Sequence, residues 1–416
     1  MPALDIVEKL SLLSSAAKYD ASCATGEGAG LEKTADGTAM VYHSFTEDGR
    51  PVRLLKVLFS NICRFDCAYC VNRASSGIQR TSFTVRELVE LCGSWWRNKY
   101  IDGFFLSSGV FADPDIVMEK LIETVKLLRT EAGYNGYIHL KIIPGTGEKL
   151  IREAGLWADR LSINIELPTD RSLQSLAPQK SGKAILGAMD SFTFLYSAFE
   201  EDRRRIRSTP HFAPDGQTTQ LIVGASADDD RQIIALSSSL YRKFSLRRVY
   251  YSAFIPVHLP GGGGLPDPRL PDIPSPPLVR EHRLYQADWL IRFYHFKSGE
   301  ILGEGESFLE KNLDPKTAWA LRRLDFFPVE VNRAGYEELL RVPGIGAKTA
   351  RRILERRISH RLDFEGLKRI GVILKRARYF ITCSGTFLDR PEDPKRIRRL
   401  LSDNGDAGKQ LPLFEF

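Results

Sequence analysis

Long apolar runs are missing from this chain of 416 residues: no stretch approaches the roughly 18 uncharged apolar residues of a membrane span. The opening MPALDIVEKLSLL carries Asp5 and Glu8 and lacks the basic start and apolar core of a secretion signal, so a cytoplasmic protein that meets no membrane is expected. Cysteine is scarce as well; six are too few for a disulfide scaffold. A composition of 43% hydrophobic and 27% charged residues excludes a collagen-like, low-complexity or wholly disordered chain. What remains is a soluble globular protein, long enough for two or three domains at roughly 150 residues each.

Charge of one sign is nearly absent as an excess until the end of the chain. The net charge is +7, and residues 330–416 alone hold 19 basic against 12 acidic side chains, which is the whole excess. The other 329 residues carry 40 of each sign. A neutral body with a basic tail suggests a body that acts and a tail that holds a polyanion. A solvated basic helical face is the competing account.

Periodicity divides the chain further. Residues 1–50 read as one amphipathic helix, Ile6 to Lys18, and a loop rich in Gly, Thr and Ala. From there, six β-like runs (54–61, 103–109, 137–144, 160–168, 218–225 and 248–256) alternate with helical spacing, one helix being opened by Asp113-Pro114. Such alternation predicts parallel strands joined by right-handed crossovers, either a doubly wound sheet or a partial barrel, with the working end where the strands finish. Residues 260–277 hold seven prolines and four glycines and read as a linker. The expected domains are an extension (1–50), the βα body (51–259), a linker with connecting helices (260–326) and the basic tail domain (327–416).

Three of the six cysteines, Cys63, Cys67 and Cys70, fall within eight residues directly after the first strand of the body. The spacing C-x3-C-x2-C lets three thiolates converge on one face of an iron–sulfur cube and leaves the fourth iron without a protein ligand. A structural zinc site would normally add a fourth Cys or His, and the nearest later cysteine, Cys92, lies in an amphipathic helix. The triad, with Tyr69 before its last cysteine, resembles the signature of the radical S-adenosylmethionine superfamily, and its place after strand one of a six-fold βα alternation matches as well. The resemblance implies an α/β partial (βα)6 radical SAM barrel, a [4Fe–4S] cluster whose open iron chelates S-adenosylmethionine, and an electron donor such as flavodoxin or ferredoxin. It also implies cofactor-binding positions. Ser107-Ser108-Gly109 fills the slot of the superfamily's Gly-Gly-Glu, keeping a small, close backbone without the acid. Asn164-Ile165-Glu166 resembles the Asn-x-Asp ribose pair, and Gly224 matches the last glycine of the adenine-side motif. His139 and Lys141 on strand three and Tyr251 on strand six are candidate substrate-pocket residues, with an ordinary polar strand face as the alternative.

In the tail, Val342-Pro343-Gly344-Ile345-Gly346 lies between two helical runs and resembles the helix-hairpin-helix motif, which grips DNA phosphates without reading sequence. Lys348, Arg351 and Arg352 follow on the second helix. A degenerate second copy centres on Gly371, with Lys375 and Arg376 behind it. An all-α nucleic-acid-binding domain is therefore expected, with a protein–protein hairpin as the alternative. The whole arrangement is similar to a family of radical SAM proteins ascribed to DNA modification or repair, whose members tend to be encoded beside uracil-DNA-glycosylase-like proteins. An RNA-modifying enzyme and a non-catalytic iron–sulfur DNA-binding protein stay open. Of the remaining cysteines, Cys23 and Cys383 are candidate hydrogen donors, and a small buried hydrophobe is the plainer role for each, as for Cys92.

Overall fold

The computed structural model describes residues 4–17, 31–33, 40–45, 51–256, 267–389 and 393–402. The chain forms two compact units, Met1–Asp228 with Ser239–Pro277, and Asp229–Ser238 with Leu278–Phe416. No helix among the described residues is long and apolar enough to cross a membrane.

The first unit is built on an eight-stranded sheet whose spatial order follows chain order. Its strands are β1 (Leu31–Lys33), β2 (Met40–Phe45), β3 (Pro51–Leu58), β4 (Gly103–Ser107), β5 (Tyr137–Lys141), β6 (Arg160–Ser162), β7 (Gln217–Val223) and β8 (Arg248–Ala253). β1, β2 and β3 pair antiparallel, and β3 to β8 pair parallel. A doubly wound sheet would reverse its order midway. Here every crossover carries the new strand the same way, and the sheet curls into a half-barrel, so the expected fold class is what forms.

Each of the six β-like runs overlaps one of the parallel strands, β3 starting three residues before its run and β7 one residue before. β4 is buried at every position, as a strand covered on both faces must be. Helix starts follow their caps. Thr84 and Glu87 exchange reciprocal bonds at the head of Val85–Arg97, and Asp113 caps Pro114–Thr130. Register aligns Lys56, Phe105, His139 and Arg160 across β3 to β6 in one layer. One pleat nearer the strand ends, Leu58 pairs with Ser107 and Lys141 with Ser162.

Two details differ from the sequence reading. The β1–β2 pair was not anticipated, because strands of three and six residues in a polar, glycine-rich stretch carry little period. The run 160–168 stops being regular strand at Ser162 and reaches Glu166 at φ +66°, where a single bridge to Leu221 remains.

The second unit contains the helices Leu278–Phe293, Pro315–Arg322 and two helical hairpins, Tyr336–Arg341 with Ala347–Arg356 and Phe364–Arg369 with Leu374–Ala377. Residues 278–326, read as connecting helices, group with the hairpins here. Besides the expected helices there is a small sheet of β9 (Val329–Glu330), β10 (Ile381–Cys383) and β11 (Thr386–Phe387). β9 precedes the first hairpin, β10 follows the second, and their parallel pairing brings the two ends of the double hairpin together. The Glu330 carboxylate secures that closure by accepting from Ser384 N–H at 3.0 Å and Gly385 N–H at 2.8 Å.

Candidate functional site

The cysteine loop leaves the C-terminal end of β3 and is pinned by backbone to the loop after β4. Phe59 N–H donates to Ser107 O at 2.7 Å, Gly109 N–H to Ser60 O at 2.7 Å, and Arg64 N–H to Val110 O at 2.8 Å. The two backbones come so close that a Cβ at Gly109 would lie 2.4 Å from the Ile62 carbonyl oxygen. Glycine is what permits that approach. Ala68 N–H donates to Leu176 O at 2.7 Å and fixes the middle of the loop.

One pocket at the strand ends is lined by Cys63, Cys67, Cys70 and Tyr69 from this loop and by Ser107, Ser108 and Gly109 after β4. Lys141, Asn164 and Glu166 complete its far wall with Lys180 and Gln220. Asn164 and Glu166 both line the pocket, although the chain is no longer regular strand there. Asn164 Nδ2 donates to Gln220 Oε1 at 3.3 Å, and Lys180 Nζ donates to Glu166 Oε1 at 2.7 Å. The Glu166–Lys180 pair is buried, with side chains 8% and 15% exposed. Burial alone would depress the Lys180 pKa, but the Glu166 carboxylate together with Tyr69 and Cys67 outweighs it and holds it well above the ordinary lysine value. Burial pushes the Cys70 thiol up to about 12 and raises that of Cys67, with Lys180 opposing both.

Lys180 and Gln220 were missed by sequence reasoning. Lys180 lies beside the Ser181 helix cap, where a basic residue reads as surface, and only the fold turns it inward. Three expected residues lie outside the pocket. Gly224, at φ +85°, turns away after β7, and a Cβ there would meet Pro277 at 2.8 Å. Tyr251 is buried but does not line the pocket, which β8 reaches through Ser252 and Ala253. His139 shares the face of Lys141 one pleat deeper, packed edge-on to Phe105 at 4.7 Å. Among the described residues neither His139 ring nitrogen has a hydrogen-bond partner, and burial, with Arg160, Lys56 and Lys141 nearby, keeps its pKa well below the usual histidine range. Cys92 and Cys383 are buried and line no part of the pocket; Cys23 falls outside the described residues.

The residues present fit a cluster better than a single ion. Among the described residues no three His, Cys, Asp or Glu side chains stand close enough to share one metal ion, as a zinc site requires. A [4Fe–4S] cube takes its thiolates at separate corners, and three cysteines on one loop are the donor set it uses. Among the described residues the buried Tyr69 hydroxyl has no hydrogen-bond partner beyond the Cys67 thiol.

In the second unit, Gly344 has φ +83°, and a Cβ there would lie 2.6 Å from the Ile373 carbonyl oxygen, so the two hairpin turns meet backbone to backbone. Ile373 N–H donates to Gly344 O at 3.0 Å. Gly371, at φ +96°, faces Thr349 and Arg352 across the same junction. The turn offers fewer open N–H groups than two glycines suggest, because Gly346 N–H is taken by Thr349 Oγ1 at 2.8 Å. Lys348, Arg351, Arg352 and Lys375 are exposed. Arg376 is drawn into an ion pair with Asp314 at 3.2 Å. Lys316, buried beneath the first turn, donates to Ile345 O at 2.6 Å, and burial lowers its pKa to about 7.

Comparison with known proteins agrees with both halves of this description. Residues 57–193 match the Radical SAM superfamily and residues 329–356 the helix-hairpin-helix motif. No curated protein matches. Among solved structures, that of HydG, a maturase of the [FeFe]-hydrogenase, is 15% identical over 56% of this chain and 48% of its own, with a TM-score of 0.41. HydG from Carboxydothermus hydrogenoformans is 17% identical over 49% and 44%, with a TM-score of 0.39. Methylornithine synthase (PylB) is 16% identical over 57% and 60%, with a TM-score of 0.38. The chain thus spans about half the length of the HydG structures and three fifths of PylB. Superfamily members use a [4Fe–4S] cluster and S-adenosylmethionine. The chain carries a Radical SAM superfamily domain and, behind it, a helix-hairpin-helix motif.

Proposed function

We propose that this chain is a radical S-adenosylmethionine enzyme that removes hydrogen from a nucleic-acid substrate, DNA, in repair or modification. One observation carries the enzymatic part: three thiols from a single loop share a pocket with the Ser107–Gly109 backbone and the Asn164–Glu166 pair. A [4Fe–4S] cluster and S-adenosylmethionine held there would supply 5′-deoxyadenosyl radical chemistry, given one electron from a donor such as flavodoxin or ferredoxin. Cys63, Cys67 and Cys70 hold the cluster. Ser107, Ser108 and Gly109 offer close backbone to the methionine end of the cofactor, Asn164 and Glu166 take ribose hydroxyls, and Lys180 fixes the Glu166 carboxylate for that purpose. Tyr69 packs beside the cofactor, and Lys141 faces the same pocket.

The nucleic-acid part rests on the paired hairpins and on their exposed basic side chains. Helix-hairpin-helix turns grip phosphates and leave sequence unread, which suits a delivery module. Anaerobic reconstitution with iron and sulfide, followed by reductant and S-adenosylmethionine, tests both parts. Formation of 5′-deoxyadenosine that rises with a DNA oligonucleotide is expected. Failure to bind a cluster or to form 5′-deoxyadenosine overturns the enzymatic reading. Turnover stimulated by structured RNA and not by DNA overturns the substrate.

A further inference from the structure

One side chain that takes no part in lining the pocket gathers both ends of the cysteine loop. Arg80 Nη1 donates to Asn61 O at 2.5 Å and to Asn72 O at 2.9 Å. Its Nη2 donates to Arg73 O at 2.6 Å and to Ser76 O at 3.0 Å. One guanidinium thus gathers the carbonyl that enters the loop and three that leave it, and Cys63, Cys67 and Cys70 all lie between. A planar fork with fixed donors suits that task; a lysine, a point charge on a flexible stem, cannot span four carbonyls at once.

The strand of chain that delivers Arg80 is itself anchored. Asn61, fully buried, donates from Nδ2 to Gln79 O at 2.8 Å and accepts from Thr81 N–H at 2.8 Å. Ser82 Oγ donates to Ser60 Oγ at 2.6 Å, across the Ser60–Ser82 bridge. The guanidinium is therefore a fixed post, and the loop closes onto it. The loop also turns backbone toward its sulfurs: Phe65 N–H donates to Cys63 Sγ at 3.4 Å.

We propose that Arg80 is a positioning residue for the iron–sulfur cluster, closing the loop 61–76 so that the three cysteines meet an incoming cluster in a preformed arrangement. The proposal rests on reading Cys63, Cys67 and Cys70 as cluster ligands. Groups that orient metal ligands without touching the metal typically alter affinity about 10–100-fold when removed.

The test uses the full chain, reconstituted anaerobically, in wild type and in the Arg80→Ala and Arg80→Lys variants. Iron and sulfide content, loss of cluster absorbance to a chelator, the electron paramagnetic resonance signal of the reduced cluster and the melting temperature of the metal-free protein are measured together. Cluster loss at least about tenfold faster in both variants is expected, with an altered resonance signal and a metal-free melting temperature close to wild type. Guanidinium ion at sub-denaturing concentration is expected to slow that loss in Arg80→Ala and not in wild type. Cluster retention at the wild-type rate in Arg80→Ala overturns the proposal. So does a melting temperature lowered in both variants with no rescue by guanidinium, since the arginine would then hold the fold and not the loop. If wild type itself binds no cluster, the cluster reading fails, an outcome distinct from either.

Discussion

Replacing Gly109 by alanine puts the closeness of the two loops to a direct test. The added methyl would lie 2.4 Å from the Ile62 carbonyl oxygen and 3.2 Å from that of Ser60. Real contacts of this kind essentially never fall below 3.0 Å, so the backbones must part by at least 3.0 − 2.4 = 0.6 Å. No flexible side chain can absorb the shift, because Gly109 N–H is bonded to Ser60 O at 2.7 Å and Arg64 N–H to Val110 O at 2.8 Å. Overpacking of this sort costs about 1–3 kcal/mol. For a unit of this size each kcal/mol lowers Tm by about 2–4 °C. The cysteines ride on the displaced loop, so iron bound after reconstitution falls as well. Gly77, just beyond the same loop, would place an added methyl with nothing within 4 Å and serves as the matched control. Calorimetry of the metal-free proteins and iron assay after reconstitution should show Gly109→Ala impaired and Gly77→Ala unchanged. Wild-type melting and iron content in Gly109→Ala would refute the reasoning.

Three further outcomes can be measured. Removing one partner of the buried Glu166–Lys180 pair strands a charge and costs about 3–5 kcal/mol, so Glu166→Gln or Lys180→Met alone should lower the urea midpoint more than the double change does; equal or additive losses count against a buried pair. Lys316, with its folded pKa at about 7 and the ordinary lysine value at 10.5, binds fewer protons folded than unfolded between those limits. Its burial penalty therefore stands in full below pH 7 and is relieved as pH rises, and the stability of wild type relative to Lys316→Met should grow with pH across that window; a flat difference contradicts it. Lys348→Gln should reduce the salt slope of DNA binding by about 1, whereas Arg376→Gln, whose side chain is already engaged by Asp314, should leave that slope nearly unchanged.

Features governed by local chemistry were legible in the sequence. The parallel strands announce themselves because buried strands are short apolar runs, the helix Pro114–Thr130 because Asp113-Pro114 is a cap and a first turn, and the cysteine loop because ligand spacing is a property of the chain itself. Parity along β5 placed His139 on the face of Lys141, but parity does not measure depth. His139 therefore lies one pleat below the pocket, and Tyr251 stops short of the Ser252–Ala253 end of β8 that reaches it. What joins the site from elsewhere was not legible at all. Lys180 reaches Glu166, and Arg80 the loop carbonyls, only because the fold returns those segments to the strand ends. The β9–β10 pairing, two or three residues long and about 50 residues apart, leaves no periodic trace.

The basic excess of the last 87 residues changes meaning once each side chain is followed to its partner. Arg341 pairs with Glu300 at 2.8 Å, Arg378 with Asp389 at 3.7 Å, and Arg398 with Glu310. Arg357 spends its guanidinium on the carbonyls of Val331 and Ala334, and Arg352 gives one nitrogen to Ile370 O. The three ion-paired arginines are already matched, so their release of counterions on binding would be small, whereas Arg357 and Arg352 keep their charge and spend only donors. Lys348, Arg351 and Lys375 are exposed and form no ion pair among the described residues. They flank the junction where Gly344 meets Ile373. A count of charges thus overstates the proposed grip only in part, since Arg333, Arg356, Arg361, Lys368, Arg369, Lys395, Arg396 and Arg399 are exposed too and form no ion pair among the described residues; Lys348, Arg351 and Lys375 are the ones that bring this free charge to the two hairpin turns.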